Sequence, residues 1–106
     1  MAVGVKALAD GQLGASKSTL YTAPTNTRAI VRSIILVNTD GSARTANIYV
    51  NRTGTSRRIA PKNLSLAAGA YVSCTDIVTL EAGHHIEGEA SAANVVDYVI
   101  SGIEET

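Results

Sequence analysis

The sequence contains no tryptophan and no phenylalanine, and its aromatic side chains are four tyrosines among 106 residues. Large aromatic anchors usually dominate the energetics of a core, so this core must be built from isoleucine, valine, leucine and alanine. The length is that of one domain, which buries roughly two-thirds of the surface of its unfolded chain. We therefore expect a thin hydrophobic core, with part of the stability coming from contacts between subunits.

A single cysteine, Cys74, excludes a disulfide within the chain, and we interpret it as a small hydrophobic side chain. No apolar run approaches the roughly 18 residues that a membrane span needs. The N-terminus also has no apolar core of signal-peptide length. We therefore expect a soluble protein that is made in a cytosol and has no membrane partner.

The formal net charge is zero, yet the charges are segregated along the chain. Residues 1–75 contain all nine Lys and Arg with two acidic residues, whereas residues 76–106 contain seven acidic residues and no Lys or Arg. Either strands of opposite sign pair within one fold, or complementary surfaces meet between subunits or against a scaffold. Scattered basic residues, few aromatic residues and the absence of net positive charge argue against a nucleic-acid partner.

Short β-rich runs separated by turn residues follow one another from residue 18 to the C-terminus, and no segment has helical periodicity beyond one or two turns. In one clean run Ala46, Ile48 and Val50 alternate with polar residues and are expected to face the core. The spacing predicts one all-β domain over residues 18–106, an antiparallel β-sandwich of about eight short strands. Residues 1–17, which contain three glycines, are expected to form an extended N-terminal arm.

The longest run, Arg28–Val37, is apolar at both parities. Alternation places successive side chains on opposite faces of a sheet, and a strand that is apolar on both faces is covered on both. In a small sandwich the second cover is most simply another subunit. We therefore predict a homo-oligomer whose interface lies on one face of this run, at Ile30, Ile34 and Leu36.

No catalytic constellation accompanies these strands, so we predict that the protein is not an enzyme. His85, Glu87 and Glu89 would share one face of a strand at period two, and they are the stretch that most resembles a metal site. We interpret them as a solvated strand face with a histidine in a turn, and we predict neither a metal nor a cofactor. A pH-sensitive contact at His84 and His85 is the alternative.

Four basic residues, Arg52, Arg57, Arg58 and Lys62, form a local basic patch in the sequence. One interpretation is a solvated edge that discourages pairing between strands of different molecules. The other is a surface that docks on acidic groups of a capsid or of a neighbouring subunit, for which arginine is well suited because it binds carboxylates through two hydrogen bonds. Both interpretations remain open from the sequence.

A pattern of strands and turns runs through residues 18–104 in seven stretches, which are Leu20–Pro24, Ala29–Ile34, Val37–Thr39, Ile48–Asn51, Arg57–Gly69, Leu80–Gly83 and Tyr98–Gly102. This pattern resembles a family of small virion proteins of tailed bacteriophages. Such sequences more often have an acidic and then a basic residue after the Ala82-Gly83 turn. In this chain two histidines stand there.

The resemblance implies a place in a tailed-phage virion assembled in the host bacterial cytoplasm, with the major capsid protein or other virion proteins as partners. We rank a capsid decoration or cement protein first, because it would stabilise the shell by bridging capsomers. A tail, baseplate or adaptor component is the second alternative, and a host-glycan-binding module on the particle surface is the third. Analogy with decoration proteins implies a homotrimer. The N-terminal arm and the basic patch are the expected contacts with the particle.

Overall fold

The computed structural model describes residues 3–75 and 77–106, so residue 76, where the acidic segment begins, lies outside the described residues. The described residues form no helix, and therefore none that could cross a membrane. They form ten strands, which are β1 (Val3–Gln12), β2 (Ser18–Thr22), β3 (Arg28–Asn38), β4 (Arg44–Asn51), β5 (Ser56–Arg58), β6 (Leu64–Leu66), β7 (Tyr71–Cys74), β8 (Val78–Leu80), β9 (His85–Ala90) and β10 (Val96–Glu105).

The strands form two five-stranded antiparallel sheets, so the predicted β-sandwich is confirmed, with ten strands in place of about eight. The front sheet has the order β1-β10-β3-β7, and β8 also pairs with β3. The back sheet has the order β2-β9-β4-β5, and β6 also pairs with β4. Each of the long strands β3 and β4 therefore carries two short strands along one side.

The interior between the sheets is almost entirely aliphatic, as the lack of large aromatic residues requires. Ala46, Ile48 and Val50 face it, as the alternation in β4 predicts. Tyr21 is the tyrosine that belongs to the buried cluster. The largest completely buried apolar side chains are Leu13, Leu36, Ile48, Leu66, Leu80, Ile86 and Ile100.

The N-terminal segment belongs to the sandwich, which corrects the expectation of an extended arm over residues 1–17. β1 pairs with β10 along its whole length, and Leu13, just after β1, is fully buried. A register shift in β1 lets Leu8 and Ala9 both pack against the core. Backbone hydrogen bonds to β10 hold this glycine-containing segment in place, and residues 1 and 2 lie outside the described residues.

A β-bulge interrupts the alternation of side chains in β3. Ser33 pairs with Ser101 and Val31 pairs with Gly102, so Arg32 is the extra residue and has no direct partner in β10. A bulge of this kind shifts the side-chain pattern by one position on the strand that contains it. The two halves of β3 therefore present different parities to the core.

The bulge corrects the predicted oligomer interface. Ile34 and Leu36 are 3% and 0% exposed, so both pack inside the sandwich and cannot face a partner subunit. Ile30 is half-buried on the outer side, where it was expected. Ile35 and Val37, which uninterrupted alternation would place on the opposite face from Ile30, share the outer side with it.

Asn38, at the end of β3, is a fully buried polar side chain that ties two turns together. Its Nδ2 atom donates to the carbonyl oxygens of Ser42 at 2.9 Å, Leu66 at 3.1 Å and Ala67 at 3.2 Å. Its Oδ1 atom accepts the backbone N–H of Asp40 at 3.0 Å. These bonds close one end of the sandwich, because they join the turn after β3 to the turn after β6.

Candidate interaction surfaces

A connected network of polar side chains covers the outer face of the back sheet. Tyr49 lies at its centre, and only 8% of its surface is exposed although the side chain points away from the core. Lys17 Nζ and Arg58 Cζ lie 5.1 and 5.0 Å from the centroid of its ring, which are cation–π distances. The hydroxyl donates to Glu89 Oε2 at 3.0 Å. The ring is therefore covered by the chain's own charged side chains.

Glu87 continues this network and is itself buried. The Ser56 hydroxyl donates to Glu87 Oε1, Lys17 Nζ donates to Ser56 Oγ at 2.9 Å, and His85 Nε2 lies 3.2 Å from Glu87 Oε2. Burial raises the pKa of Glu87, but hydrogen bonds from Ser56 and His85, with the charges of His85 and Lys17, outweigh it and hold that pKa below its usual range. The buried carboxylate is thus stabilised by groups of the protein itself.

The residues considered for a metal site lie in this network. His85, Glu87 and Glu89 share the outer face of β9, as their spacing predicts. Both carboxylates already accept hydrogen bonds from side-chain hydroxyls. Within residues 3–75 and 77–106 there is no group of three or more His, Cys, Asp or Glu side chains arranged to hold a metal ion. His84 lies in the preceding turn, where its Nδ1 atom accepts the backbone N–H of Glu81 at 3.1 Å.

The structure divides the predicted basic patch. Arg58 belongs to the polar network, since its Nη1 atom donates to Asn47 Oδ1. Arg57 is its neighbour in β5 but points to the other side of the sheet, because it pairs with the core-facing Val50. Arg57 and Lys62 are exposed, and neither forms an ion pair with another described residue.

Arg52 connects the basic patch to the front sheet. It lies in the turn between β4 and β5, and its Nη2 atom donates to the backbone oxygen of Thr79 in β8 at 2.8 Å. β5 and β6 lie along the same side of β4, so Lys62, between them, belongs to the same edge of the sandwich. We call Arg52, Arg57 and Lys62 the basic edge.

Ion pairs within the chain account for part of the charge segregation. Lys6 Nζ lies 2.8 Å from Glu104 Oε1, and Arg28 lies 3.8 Å from both Glu81 and Glu105. Each pair joins a cation from the first half of the sequence to an acid from the second half. Pairing within one fold therefore accounts for these charges, but it leaves the basic edge without carboxylate partners among the described residues.

Glu104 also joins the two sheets. The hydroxyl of Tyr21, in β2, donates to Glu104 Oε2 at 2.6 Å, while Lys6 bonds to the other carboxylate oxygen. The hydrogen bonds from Lys6 and Tyr21 hold the pKa of Glu104 below its usual value. Burial, and then the hydrogen bond to Glu104, raise the pKa of Tyr21 well above its ordinary value. The cluster closes the sandwich where β1 lies beside β2.

The outer face of the front sheet is apolar at its centre. Val5 and Val99 are 91% and 41% exposed, and the other apolar members are half-buried. The strand register places Val5, Ile103 and Ile30 in one row across β1, β10 and β3. We call this surface the apolar face; its members are Val5, Ile30, Ile35, Val37, Val99 and Ile103.

Five members of the apolar face are absent from the interface predicted from the sequence: Ile35 and Val37 on β3, and Val5, Val99 and Ile103 on β1 and β10. The signal that identifies two of them is the last run of the chain, where Val99 and Ile103 are apolar at the parity opposite to the buried Val96 and Ile100. A strand with this pattern has two apolar faces, in the same way as β3. Both central strands of the front sheet therefore present apolar side chains to the outside.

No protein-family model and no curated protein matches this chain. Its fold is similar to that of a chain from Bacillus endospore appendages, described as disulfide-linked pili, with 17% identity, a TM-score of 0.62 and coverage of 98% of this chain and 88% of that chain. A chain from the acidic stable capsid of Helicobacter pylori bacteriophage KHP30 is 18% identical with a TM-score of 0.55, covering 98% of this chain and 87% of that one. Infectious bursal disease virus, strain Gx, gives 16% identity and a TM-score of 0.51 over 97% of this chain and 31% of that chain. These structural neighbours share the sandwich fold and come from viral capsids and from pili.

Proposed function

We propose that the protein is a structural component of a virus particle, and specifically a homo-oligomeric decoration or cement protein of a tailed-phage capsid. The observation that carries this proposal is the similarity in fold to a phage-capsid chain, which extends over nearly all of both chains. The sequence resemblance to small tailed-phage virion proteins supports the same kind of role. Two surfaces support the proposal, the apolar face and the basic edge, because a subunit that docks on a shell needs contacts of both kinds.

A cement protein stabilises a shell because it binds the assembled state and so shifts the equilibrium toward it. The basic edge is our proposed contact with the shell. Arg57 and Lys62 are exposed and have no ion pair among the described residues, so their charges are free to meet acidic groups of another protein. Contacts of this kind steer association and weaken as salt screens them.

Attachment of purified protein to particles that lack it tests this docking surface. Arg57→Glu is expected to weaken attachment, most clearly at low salt, without changing the melting temperature, because Arg57 makes no ion pair with the described residues. Arg57→Lys keeps the charge and is the matched control, which should retain most of the attachment. Full occupancy by both the Arg57→Glu and the Lys62→Glu variants would exclude the basic edge as the docking surface.

The copy number in purified particles tests the decoration role itself. Quantitative mass spectrometry that finds the chain in numbers comparable to the capsomers supports a shell protein. A few copies confined to one vertex would instead indicate a tail, baseplate or adaptor component and overturn the decoration proposal. Specific binding on a glycan array, together with a low copy number, would favour a host-glycan-binding module.

A subunit of a filament is a second candidate, and the similarity in fold to the endospore appendage chain favours it. A disulfide-linked series of identical subunits needs two cysteines in each subunit, whereas this sequence has only Cys74. A filament of this chain alone would therefore be held by non-covalent contacts. Electron microscopy of the purified protein at high concentration distinguishes filaments from closed oligomers.

A further inference from the structure

We propose that the apolar face of the front sheet is the surface on which two copies of this chain pack against each other, related by a two-fold axis. The inference rests on the proposed function, because it takes the chain to be a subunit of an assembly. Contiguous exposed apolar surface on a small protein marks an interaction site. The back sheet is unsuited to this role, because Tyr49 and Glu87 on its outer face are already covered by side chains of the same molecule.

The apolar side chains form two bands with room between them. Val5, Ile103 and Ile30 make one row across the sheet, and Val99 and Ile35 are paired in another. The paired row between these bands consists of one alanine and two serines, from β1, β10 and β3, and the bulge residue Arg32 lies next to it on β3. Larger side chains on either side of a row of small ones let two such faces interdigitate at the usual spacing of about 10 Å between packed sheets.

The outer surface of the front sheet, which includes the apolar face, has the area of a small specific dimer interface. β3 has 11 residues, so at about 3.4 Å per residue it is roughly 37 Å long. Four neighbouring strands at about 4.8 Å give a width of roughly 19 Å. Each copy therefore offers about 700 Å², and two copies would bury about 1,400 Å² in total, within the range of about 1,200–2,000 Å² for specific complexes.

Arg32 and Asp10 are the charges that identify the occupant as a second copy of the chain. The outer face also carries Asp97, which accepts a hydrogen bond from Gln12, and the Arg28–Glu105 ion pair. Arg32, at the bulge of β3, and Asp10, on β1, lie on either side of β10. Arg32 is exposed on the outer side, since Val31 before the bulge and Ile34 after it both face the core. Asp10 pairs with the outward-facing Val99 and is exposed too.

Neither Arg32 nor Asp10 forms an ion pair with any described residue. In a two-fold interface each contact occurs twice, because the same surface is used by both copies. An axis midway between the two positions places Arg32 of each copy over Asp10 of the other. A second copy therefore supplies both the apolar surface and the complementary charges that this face lacks.

A two-fold pair predicts assemblies with an even number of subunits, whereas the resemblance to phage decoration proteins implies a trimer. A closed trimer requires head-to-tail contacts between two different surfaces of the subunit. The pair proposed here uses one surface only. The mass of the oligomer therefore distinguishes the two.

Sedimentation equilibrium over about 1 μM to about 1 mM protein tests this interface. Arg32→Glu and Asp10→Lys are each expected to weaken the dimer by about tenfold or more, because each replaces two attractive contacts by two repulsive ones. The combined variant is expected to regain most of the affinity, since both contacts are restored with reversed polarity. Val99→Lys places two charges inside the apolar contact and is expected to abolish the dimer.

Arg57→Glu is the matched control, because it reverses a charge on the basic edge and should leave the dimer unchanged. Circular dichroism of each variant confirms that the exposed substitutions leave the fold intact. A monomer at all concentrations, a trimer, or a double reversal that restores nothing would overturn the proposal. The proposal would also be overturned if the wild-type protein were a monomer and its Val99→Lys variant no longer attached to particles. The shell, and not a second copy, would then occupy this face. The decoration role fails separately: a dimeric chain that is absent from the capsid overturns that role alone.

Discussion

Replacing Gly102 by alanine adds one methyl group where β10 crosses the bulge of β3. Gly102 pairs with Val31, and a Cβ atom built on it would lie 2.0 Å from the carbonyl oxygen of Ile30 and 3.0 Å from its carbonyl carbon. Leu8 Cδ1 is also close, at 3.1 Å. The oxygen is a backbone atom, and the backbone also fixes the position of the new methyl group because it is bonded directly to Cα. No change of side-chain rotamer can therefore separate them. The pairing of β10 with β3 has to open at the bulge instead.

The magnitude follows from these contacts. Overpacking a core with a side chain costs about 1–3 kcal/mol, and a clash with backbone belongs at the upper end of that range. The substitution also recovers about 0.5–1 kcal/mol of this loss, because alanine has less conformational freedom than glycine in the unfolded chain. The net loss is therefore about 2 kcal/mol or more in the free energy of unfolding. For a domain of this size it lowers the melting temperature by roughly 8–16 °C.

Thermal unfolding followed by circular dichroism measures the effect, and Gly4→Ala in β1 is the control. Apart from Gly4 itself and its two chain neighbours, no atom of the described residues lies within 4 Å of the Cβ position, so this variant should match or slightly exceed the wild-type melting temperature. The melting temperature of the Gly88→Ala variant should lie between those of the Gly102→Ala and Gly4→Ala variants. The Cβ position of Gly88 is close only to the flexible ends of side chains, at 2.9 Å from Leu20 and 3.0 Å from Ile48. Equal melting temperatures for the Gly102→Ala and Gly4→Ala variants would refute the geometry of the bulge described here.

Local alternation determined much of what could be predicted from the sequence. The pattern in β4 assigned Ala46, Ile48 and Val50 to the core correctly, because no bulge interrupts that strand. Two turns contain a glycine, Gly69 or Gly83, with φ of 71° and 86°, a backbone conformation that glycine adopts without steric cost. Turn chemistry and strand periodicity depend on near neighbours, so a single sequence contains them.

Features that depend on distant parts of the chain were missed. β1 is ordered by backbone pairing with β10, at the other end of the sequence, and backbone hydrogen bonds leave little trace in side-chain composition. In β3 the two adjacent polar residues Arg32 and Ser33 interrupt an apolar run and were the available sign of the bulge. The burial of Tyr49 had no local sign, because Lys17 comes from a different part of the chain.

For the candidate surfaces too, local alternation predicts some features, and contacts between distant parts of the chain determine the others. Period-two alternation already implied that Arg57 and Arg58 point to opposite sides of β5, so the basic patch could have been divided from the sequence. Which of the two arginines is engaged depends on the neighbouring strand, where Asn47 accepts a hydrogen bond from Arg58. The sequence alone therefore identifies the charged residues, and the tertiary contacts show which charges remain available to a partner.

Three further perturbations follow from buried contacts. Asn38→Leu leaves three carbonyl oxygens without their hydrogen-bond donor. Urea titrations should show that the free energy of unfolding falls by about 3 kcal/mol. A loss below about 1 kcal/mol would show that the two turns do not depend on the Asn38 side chain. Deletion of residues 1–12 removes β1 and should prevent folding, so a cooperative melt of the truncated chain would show that β1 is dispensable. Glu104 accepts hydrogen bonds from Lys6 and Tyr21, which hold its pKa in the folded state below the usual 4.5. Its ionised form therefore contributes stability that is complete above that value and is lost as the pH falls through the lowered pKa. Glu104→Gln removes the charge while keeping the shape, so the difference in unfolding free energy between wild type and variant should be largest near neutral pH and shrink in acid. A difference that is independent of pH, or that grows in acid, would mean that the carboxylate gains nothing from its two donors.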